Sequence, residues 1–180
     1  MQINVWQNLA YAAMQLKNYE LCCSAYRKCT VLEPDHYEFW NNLANAHVQR
    51  QDTKKAFKCL QEGVRCKSDS WKMFENLMTV AVSVGEYWEA LTAYRQLLSL
   101  KPKHVNLLVI SGIVGGVMND DSEHKMSDHY HKQLQSFLAE LCHACPSDSD
   151  LWYYYGEAVS HTKKPTKETR NSTCQHFRKS

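Results

Sequence analysis

Hydrophobic and small residues recur through residues 3–100 at the spacing of one face of an α-helix. Trp6, Leu9, Ala10 and Ala13 follow the i, i+3, i+4, i+7 pattern of a helix with one buried side. A second stripe follows after a polar turn, and the pair of stripes returns every 34 residues. Two columns hold a large apolar residue in each copy: Trp6, Trp40 and Phe74, then Leu9, Leu43 and Leu77. The pattern predicts a repeat protein built from helix pairs.

Each copy is predicted to form a helix, a short turn, a second helix and a closing turn. Pro34 and Pro102 mark two of the closing turns, because proline cannot continue a helix. The residues between the two helices of a pair are polar or include glycine, as turns require. The six predicted helices are 3–16, 19–32, 37–50, 53–66, 71–84 and 87–100.

The pattern loosens after Pro102 but still predicts helices. A glycine-rich apolar stretch at 105–118 is predicted to be the first helix of a fourth unit, with Gly112, Gly115 and Gly116 allowing close helix packing. A second helix is predicted to begin at a capping Ser127 or Asp128. Its apolar stripe is Leu134, Leu138, Leu141 and Cys142. Since Pro146 follows Pro102 by 44 residues instead of 34, this unit is predicted to carry an insertion.

The remaining residues predict one more helix and a basic tail. Trp152, Tyr155, Gly156 and Val159 match the column pattern of the first helices. The tail carries six Lys or Arg and one Glu, and we expect it to be disordered. The predicted domains are repeats at 3–36, 37–70, 71–104 and 105–148 with an insertion at 119–127, a truncated fifth repeat at 149–160, and the tail at 161–180.

These features resemble a known repeat family. The order Trp-x2-Leu-Ala, Ala, Tyr and Pro at this period is similar to the tetratricopeptide repeat, and the run from Leu32 to Asp35 followed by Phe39 to Leu43 resembles the tetratricopeptide repeat protein 27 family. The resemblance implies an all-α, right-handed superhelical solenoid of stacked antiparallel helix pairs. It also implies a cytoplasmic scaffold or assembly protein without enzymatic activity. Since that family's proteins are several times longer, the chain is expected to be a segment of a longer repeat protein.

Composition and charge exclude several classes of protein. Apolar residues make up 44% and charged residues 22%, which argues against a largely disordered chain. The net charge of +2 gives no large basic field, so no nucleic-acid partner is expected. The longest apolar stretch, 105–118, is shorter than the ~20 residues a bilayer helix needs. The N-terminus lacks a signal-peptide pattern. We therefore expect no membrane partner and a cytoplasmic location.

The eight cysteines are predicted to be buried, reduced thiols. Cys142 and Cys145 form a C-x2-C pair, and His124, His129 and His131 lie nearby in sequence. A structural zinc site usually needs four ligands, and a redox pair needs a strand–turn–helix context that is absent here. Because Cys142 continues an apolar stripe, the pattern favours a core thiol, although zinc stays open. No cofactor or metal is predicted.

Asparagines on the first helices are the candidate binding residues. Asn8, Asn42 and Asn76 share one column, and Asn41 and Asn45 are their neighbours. An asparagine both donates and accepts hydrogen bonds, so a ladder of them can bind the backbone of an extended peptide. The alternative is a merely solvated polar face. The predicted groove residues are Asn8, Tyr11, Asn41, Asn42, Asn45, Lys72 and Asn76.

Some repeats of this class use a cationic clamp to hold the C-terminal carboxylate of a chaperone. Asn42 and Lys72 match that clamp, but Gln7, Tyr11 and Asn76 stand where lysine, asparagine and arginine are needed. A carboxylate needs charged donors to be held strongly. The sequence therefore disfavours this clamp.

No nucleophile, base and orienting group occur at suggestive spacings, so an enzyme is not predicted. The predicted function is a protein-interaction scaffold that binds a peptide or helix of another protein in its concave groove, in a chaperone-linked or complex-assembly role. A structural spacer within a longer repeat protein and a small zinc-stabilised module are the alternatives.

Overall fold

The structure, a computed structural model, describes residues 2–118 and 126–160. Within these ranges every regular element is an α-helix: α1 (Ile3–Gln15), α2 (Tyr19–Leu32), α3 (Tyr37–Gln49), α4 (Thr53–Cys66), α5 (Trp71–Val84), α6 (Tyr87–Leu100), α7 (Leu107–Met118), α8 (Met126–Ala144) and α9 (Ser149–Ser160). They fall into two compact units, unit 1 at Met1–Leu100 and unit 2 at Lys101–Ser180. Most of the predicted insertion at 119–127 and all of the predicted tail at 161–180 lie outside the described residues.

Unit 1 is a stack of three helix pairs. The helices α1 and α2, α3 and α4, and α5 and α6 pack within pairs, while α2 packs on α3 and α4 packs on α5. Each helix lies within one residue of its predicted bounds. Small residues at the pair interfaces have no exposed surface, and these are Ala10, Cys22, Ala56 and Ala90. The all-α solenoid class is confirmed.

The turn inside each pair adopts the same backbone conformation. Lys17, Gln51 and Gly85, which are 34 residues apart, all have positive φ angles of 55°, 64° and 89°. The next residue in each turn donates its backbone N–H back into the first helix, at 2.9 Å in all three pairs. Only glycine adopts this conformation without a penalty, so Lys17 and Gln51 are held there by the surrounding hydrogen bonds.

Two tryptophans lock the start of a first helix to the preceding turn. The indole Nε1–H of Trp40 donates to the backbone oxygen of Pro34 at 2.6 Å, and that of Trp152 donates to Pro146 at 3.1 Å. The prolines end a repeat, so the contact ties one repeat to the next. Trp152 is predicted to match the column of Trp6 and Trp40. It also makes the same type of hydrogen bond as Trp40, to the proline six residues before it.

Unit 2 contains α7, α8 and α9 and departs from the regular stack. The helix α8 packs mainly on α9, and α7 contacts α9 more extensively than it contacts α8. The predicted stripe Leu134, Leu138, Leu141 and Cys142 is buried, as expected. The helix α8 begins at Met126, so the prediction that it starts at a Ser127 or Asp128 cap is wrong.

The register of α7 is shifted by two residues. The helix begins at Leu107 instead of residue 105, and it buries Val109, Ile110, Ile113 and Val114. These residues follow the corresponding buried residues of α5 by 36 positions instead of 34. The reason is that the connection between α6 and α7 is two residues longer than the connection between α4 and α5. A Cβ atom on Gly115 would meet nothing within 4 Å among the described atoms. The predicted close packing is therefore wrong at Gly115.

No helix within the described ranges is long and apolar enough to cross a bilayer.

Candidate functional site

The predicted groove residues lie on the first helices α1, α3 and α5 of unit 1. We call this set the asparagine surface: Asn8, Tyr11, Asn41, Asn42, Asn45, Lys72 and Asn76. Asn8, Asn45, Lys72 and Asn76 are exposed, and 64% of Tyr11 is exposed. A tyrosine this exposed offers a large flat contact area at low entropic cost, which suits recognition of another chain.

Asn76 and Asn41 join two neighbouring repeats. The side-chain Nδ2 of Asn76, on α5, donates to Oδ1 of Asn41, on α3, at 2.7 Å. Each amide keeps further hydrogen-bonding capacity after this bond, since an asparagine carries two donors and two acceptor sites. The pair is therefore already oriented before any ligand arrives.

Asn42 lies in a different environment from the other asparagines of its column. It is half-buried and hydrogen-bonds the hydroxyl of Tyr26, which is buried on α2. Burial raises the pKa of Tyr26, and the bond to Asn42 partly offsets this. Asn42 thus ties α3 to the preceding repeat, so a substitution there would disturb packing as well as any binding.

The surface of the first helices carries few charges. The helix α1 has no charged residue, α3 has Glu38 as its one charged residue apart from histidine, and α5 has Lys72 and Glu75. The ammonium Nζ of Lys72 lies 5.7 Å from the ring centroid of Trp71, within range of a cation–π interaction. With this single cation, the surface does not fit a carboxylate clamp. Neutral amides instead suit backbone amide groups of a bound segment.

A polar cluster between the first two repeats was not predicted from the sequence. The buried ring of His47 on α3 places Nδ1 3.7 Å from Sγ of Cys23 on α2 and 3.7 Å from Oδ2 of Asp52 at the start of α4. Burial raises the pKa of the Cys23 thiol, although Arg50 and Arg27 lower it in part. A raised thiol pKa leaves little thiolate at neutral pH, so the cluster does not form an activated nucleophile. No spacing rule connects these three residues, and only the packing of α2 on α3 brings them together.

His47 makes the stability of the fold depend on pH. Burial lowers its pKa below the ordinary 6.5, with Lys55, Arg27 and Arg50 adding to the decrease and Asp52 opposing it. The unfolded chain therefore takes up the proton more readily, and stability present above pH 6.5 is lost as the pH falls below it. We expect urea denaturation to show a larger loss between pH 7.5 and 5.5 for the natural chain than for His47→Gln. Equal losses in the two proteins would contradict this assignment.

Cys142, on α8, has the surroundings of a core residue. Cys142 has no exposed surface, and burial together with Asp148 and Cys145 raises its pKa to about 12. A zinc ligand must be a thiolate, which this environment disfavours. Among the described residues, no group of three or more His, Cys, Asp or Glu side chains is arranged to hold a metal ion. Of the nearby histidines, His124 lies outside the described residues. Nε2 of His129 is hydrogen-bonded to Nε2 of Gln133 at 2.7 Å, and His131 is half-buried.

Comparisons with known proteins agree with this architecture. The tetratricopeptide repeat family model matches residues 3–36 and 37–69. The tetratricopeptide repeat-containing protein trd-1 of Caenorhabditis elegans is 32% identical over 131 residues, which cover 73% of this chain and 17% of that protein. The tetratricopeptide repeat protein 27 homolog of Dictyostelium discoideum is 29% identical over 92 residues, which cover 49% of this chain and 11% of the relative. This chain thus spans a small part of the relatives it matches.

A solved structure shares the fold at low sequence identity. YrrB, a tetratricopeptide repeat protein with an unusual peptide-binding site, aligns over 97% of this chain and 82% of its own with a TM-score of 0.60 and 18% identity. At that identity the match establishes the fold.

Proposed function

Because this chain is a tetratricopeptide repeat protein, we propose that unit 1 is a protein-interaction scaffold whose asparagine surface binds an extended segment or a helix of a partner protein. The observation that carries the proposal is the exposed, nearly uncharged amide surface shared by three consecutive first helices, with Asn76 and Asn41 oriented against each other across two repeats. Amide groups that donate and accept can pair with a peptide backbone without reading its sequence. The proposal assigns no catalytic reaction to the chain.

The finer role follows the resemblance to the tetratricopeptide repeat protein 27 family. We include in the proposal a cytoplasmic setting and a chaperone-linked or complex-assembly role, both by analogy with that family. YrrB, which shares the fold, has a peptide-binding site, and this supports a peptide as the ligand of unit 1.

Site-specific photo-crosslinking tests the surface directly. A photoreactive phenylalanine derivative replaces Tyr11 in one variant and Gln96, an exposed amide on the second helix α6, in the matched control. We expect cytosolic protein to crosslink at position 11 at least fivefold more than at position 96. Adding Asn45→Ala and Asn76→Ala to the first variant should reduce the crosslinked product severalfold, since both exposed amides are then lost.

Two outcomes would count against the proposal. Equal crosslinking at both positions would mean that partners do not prefer the first helices. No crosslinking at position 11, in a protein whose circular dichroism matches that of the natural chain, would favour the spacer alternative. Asn42 is left unchanged because its bond to Tyr26 would confuse a binding loss with a packing loss.

A further inference from the structure

A group of basic residues lies around the buried His47 of unit 1. Arg27 on α2, Arg50 in the turn after α3, and Lys55 in the first turn of α4 all act on the buried His47. Arg27 also acts on Cys59 of α4, so its charge reaches the second helix of the next repeat. We call Arg27, Arg50 and Lys55 the cation cluster.

The carboxylate of Asp52 lies near two of these cations. Asp52 places Oδ2 3.7 Å from Nε of Arg50 and 3.5 Å from Nζ of Lys55. The same oxygen lies 3.7 Å from the His47 ring and has no hydrogen-bond partner. These separations exceed the 2.7–2.9 Å of a charge-assisted hydrogen bond. The cations are therefore attracted to Asp52 but keep their N–H donors available for another carboxylate. The two cations Arg50 and Lys55 face this one carboxylate, which leaves one positive charge uncompensated there.

The surroundings of the cluster add to the positive charge. Lys28 follows Arg27 on α2, while Lys54 and Lys58 flank Lys55 on α4, and all three side chains are exposed. Glu62, further along α4, is already paired with Arg65 at 2.7 Å. The N-terminus of α4 contributes its helix dipole to the same side. This charge contrasts with the first helices, where α1 carries none.

We propose that the cation cluster is a second interaction surface, which binds an Asp- or Glu-rich segment of a partner protein. Arginine offers two parallel donors that match a carboxylate, and Arg50 and Lys55 keep a third or more of their side chains exposed. Carboxylates along an extended acidic segment can each engage a different cation on α2, the turn and α4. The proposal rests on residues other than those of the asparagine surface and does not depend on that surface.

Fluorescence anisotropy with a labelled deca-glutamate peptide tests the proposal. We expect saturable binding at 50 mM salt that weakens steeply at higher salt, because exposed charges are screened. The variant Arg50→Gln with Lys55→Gln should weaken the affinity at least tenfold. The matched control, Lys103→Gln with Lys132→Gln, removes the same charge from exposed residues of unit 2 and should change the affinity less than twofold.

Further arms keep the test decisive. If the first variant does not fold as judged by circular dichroism, Lys54→Gln with Lys58→Gln provides a second variant on exposed positions, with an expected loss of about threefold. An oligouridylate probe of equal charge should bind more weakly than the peptide. Stronger binding of the oligouridylate, or equal losses in the variant and its charge-matched control, would overturn the proposal.

Discussion

Replacing Gly63 with valine is expected to lower the free energy of unfolding of unit 1 by about 2 kcal/mol, within the range for overpacking a tight core. A Cβ on Gly63 would collide with Cε of Met73 and would lie 3.2 Å from Cβ of Trp40. Met73 is 1% exposed, so its terminal methyl group can shift only within the packed core. The branched side chain would therefore push α4 away from both α3 and α5. Urea denaturation followed by circular dichroism measures the loss.

Gly115→Ala is the matched control for this prediction. Gly115 also lies inside a helix, but a Cβ there would meet no atom of the described residues within 4 Å. Exchanging a helical glycine for alanine at an open position stabilises by roughly 0.5–1 kcal/mol, since alanine loses less backbone entropy. A loss of stability at both glycines, or at neither, would show that the contacts of Gly63 do not limit packing.

The sequence predicted unit 1 well because each copy of the repeat reports on the same physical environment. Equivalent positions in the three repeats, such as Leu9, Leu43 and Leu77, must all be apolar because all face the core. The helical pattern of each repeat is weak alone, but the three patterns agree. Proline and glycine then fix where helices end. The turn conformation shared by Lys17, Gln51 and Gly85 shows how far the copies agree.

Unit 2 was predicted less well because its spacing signal is not repeated. The stretch 105–118 is apolar on nearly every side, so periodicity could not choose the buried face of α7. The observed face begins two residues later than the 34-residue period gives. The glycines in this stretch predict close helix packing, which does not hold at Gly115. Composition alone does not distinguish a glycine that permits contact from one that leaves a surface open.

The candidate site was predictable in its residues but not in its contacts. The column of Asn8, Asn42 and Asn76 is visible in the sequence, whereas the bond of Asn42 to Tyr26 depends on how α2 packs against α3. The cluster of Cys23, His47 and Asp52 was missed for the same reason. Its only sequence signal is a histidine at a position where the neighbouring repeat has an apolar residue, Ala81.

Leu138→Ala is expected to lower the free energy of unfolding of unit 2 by about 3 kcal/mol, within the 2–5 kcal/mol typical of a buried leucine. Leu138 is fully buried on α8, in the stripe that also contains Cys142. Cys142→Ala removes one sulfur atom and should cost about 1 kcal/mol, close to the value of one buried methylene group. Hydrogen exchange of α8 and α9 measures both losses in the same helices.

The order of these two losses separates a core thiol from a zinc ligand. A structural zinc ion supplies ~10 kcal/mol or more to the fold it holds, so removing a ligand would cost more than truncating one leucine. In that case Cys142→Ala would be the more damaging change, and a chelator would unfold the natural protein. Because burial raises the pKa of Cys142 to about 12, we expect the opposite order and no effect of the chelator.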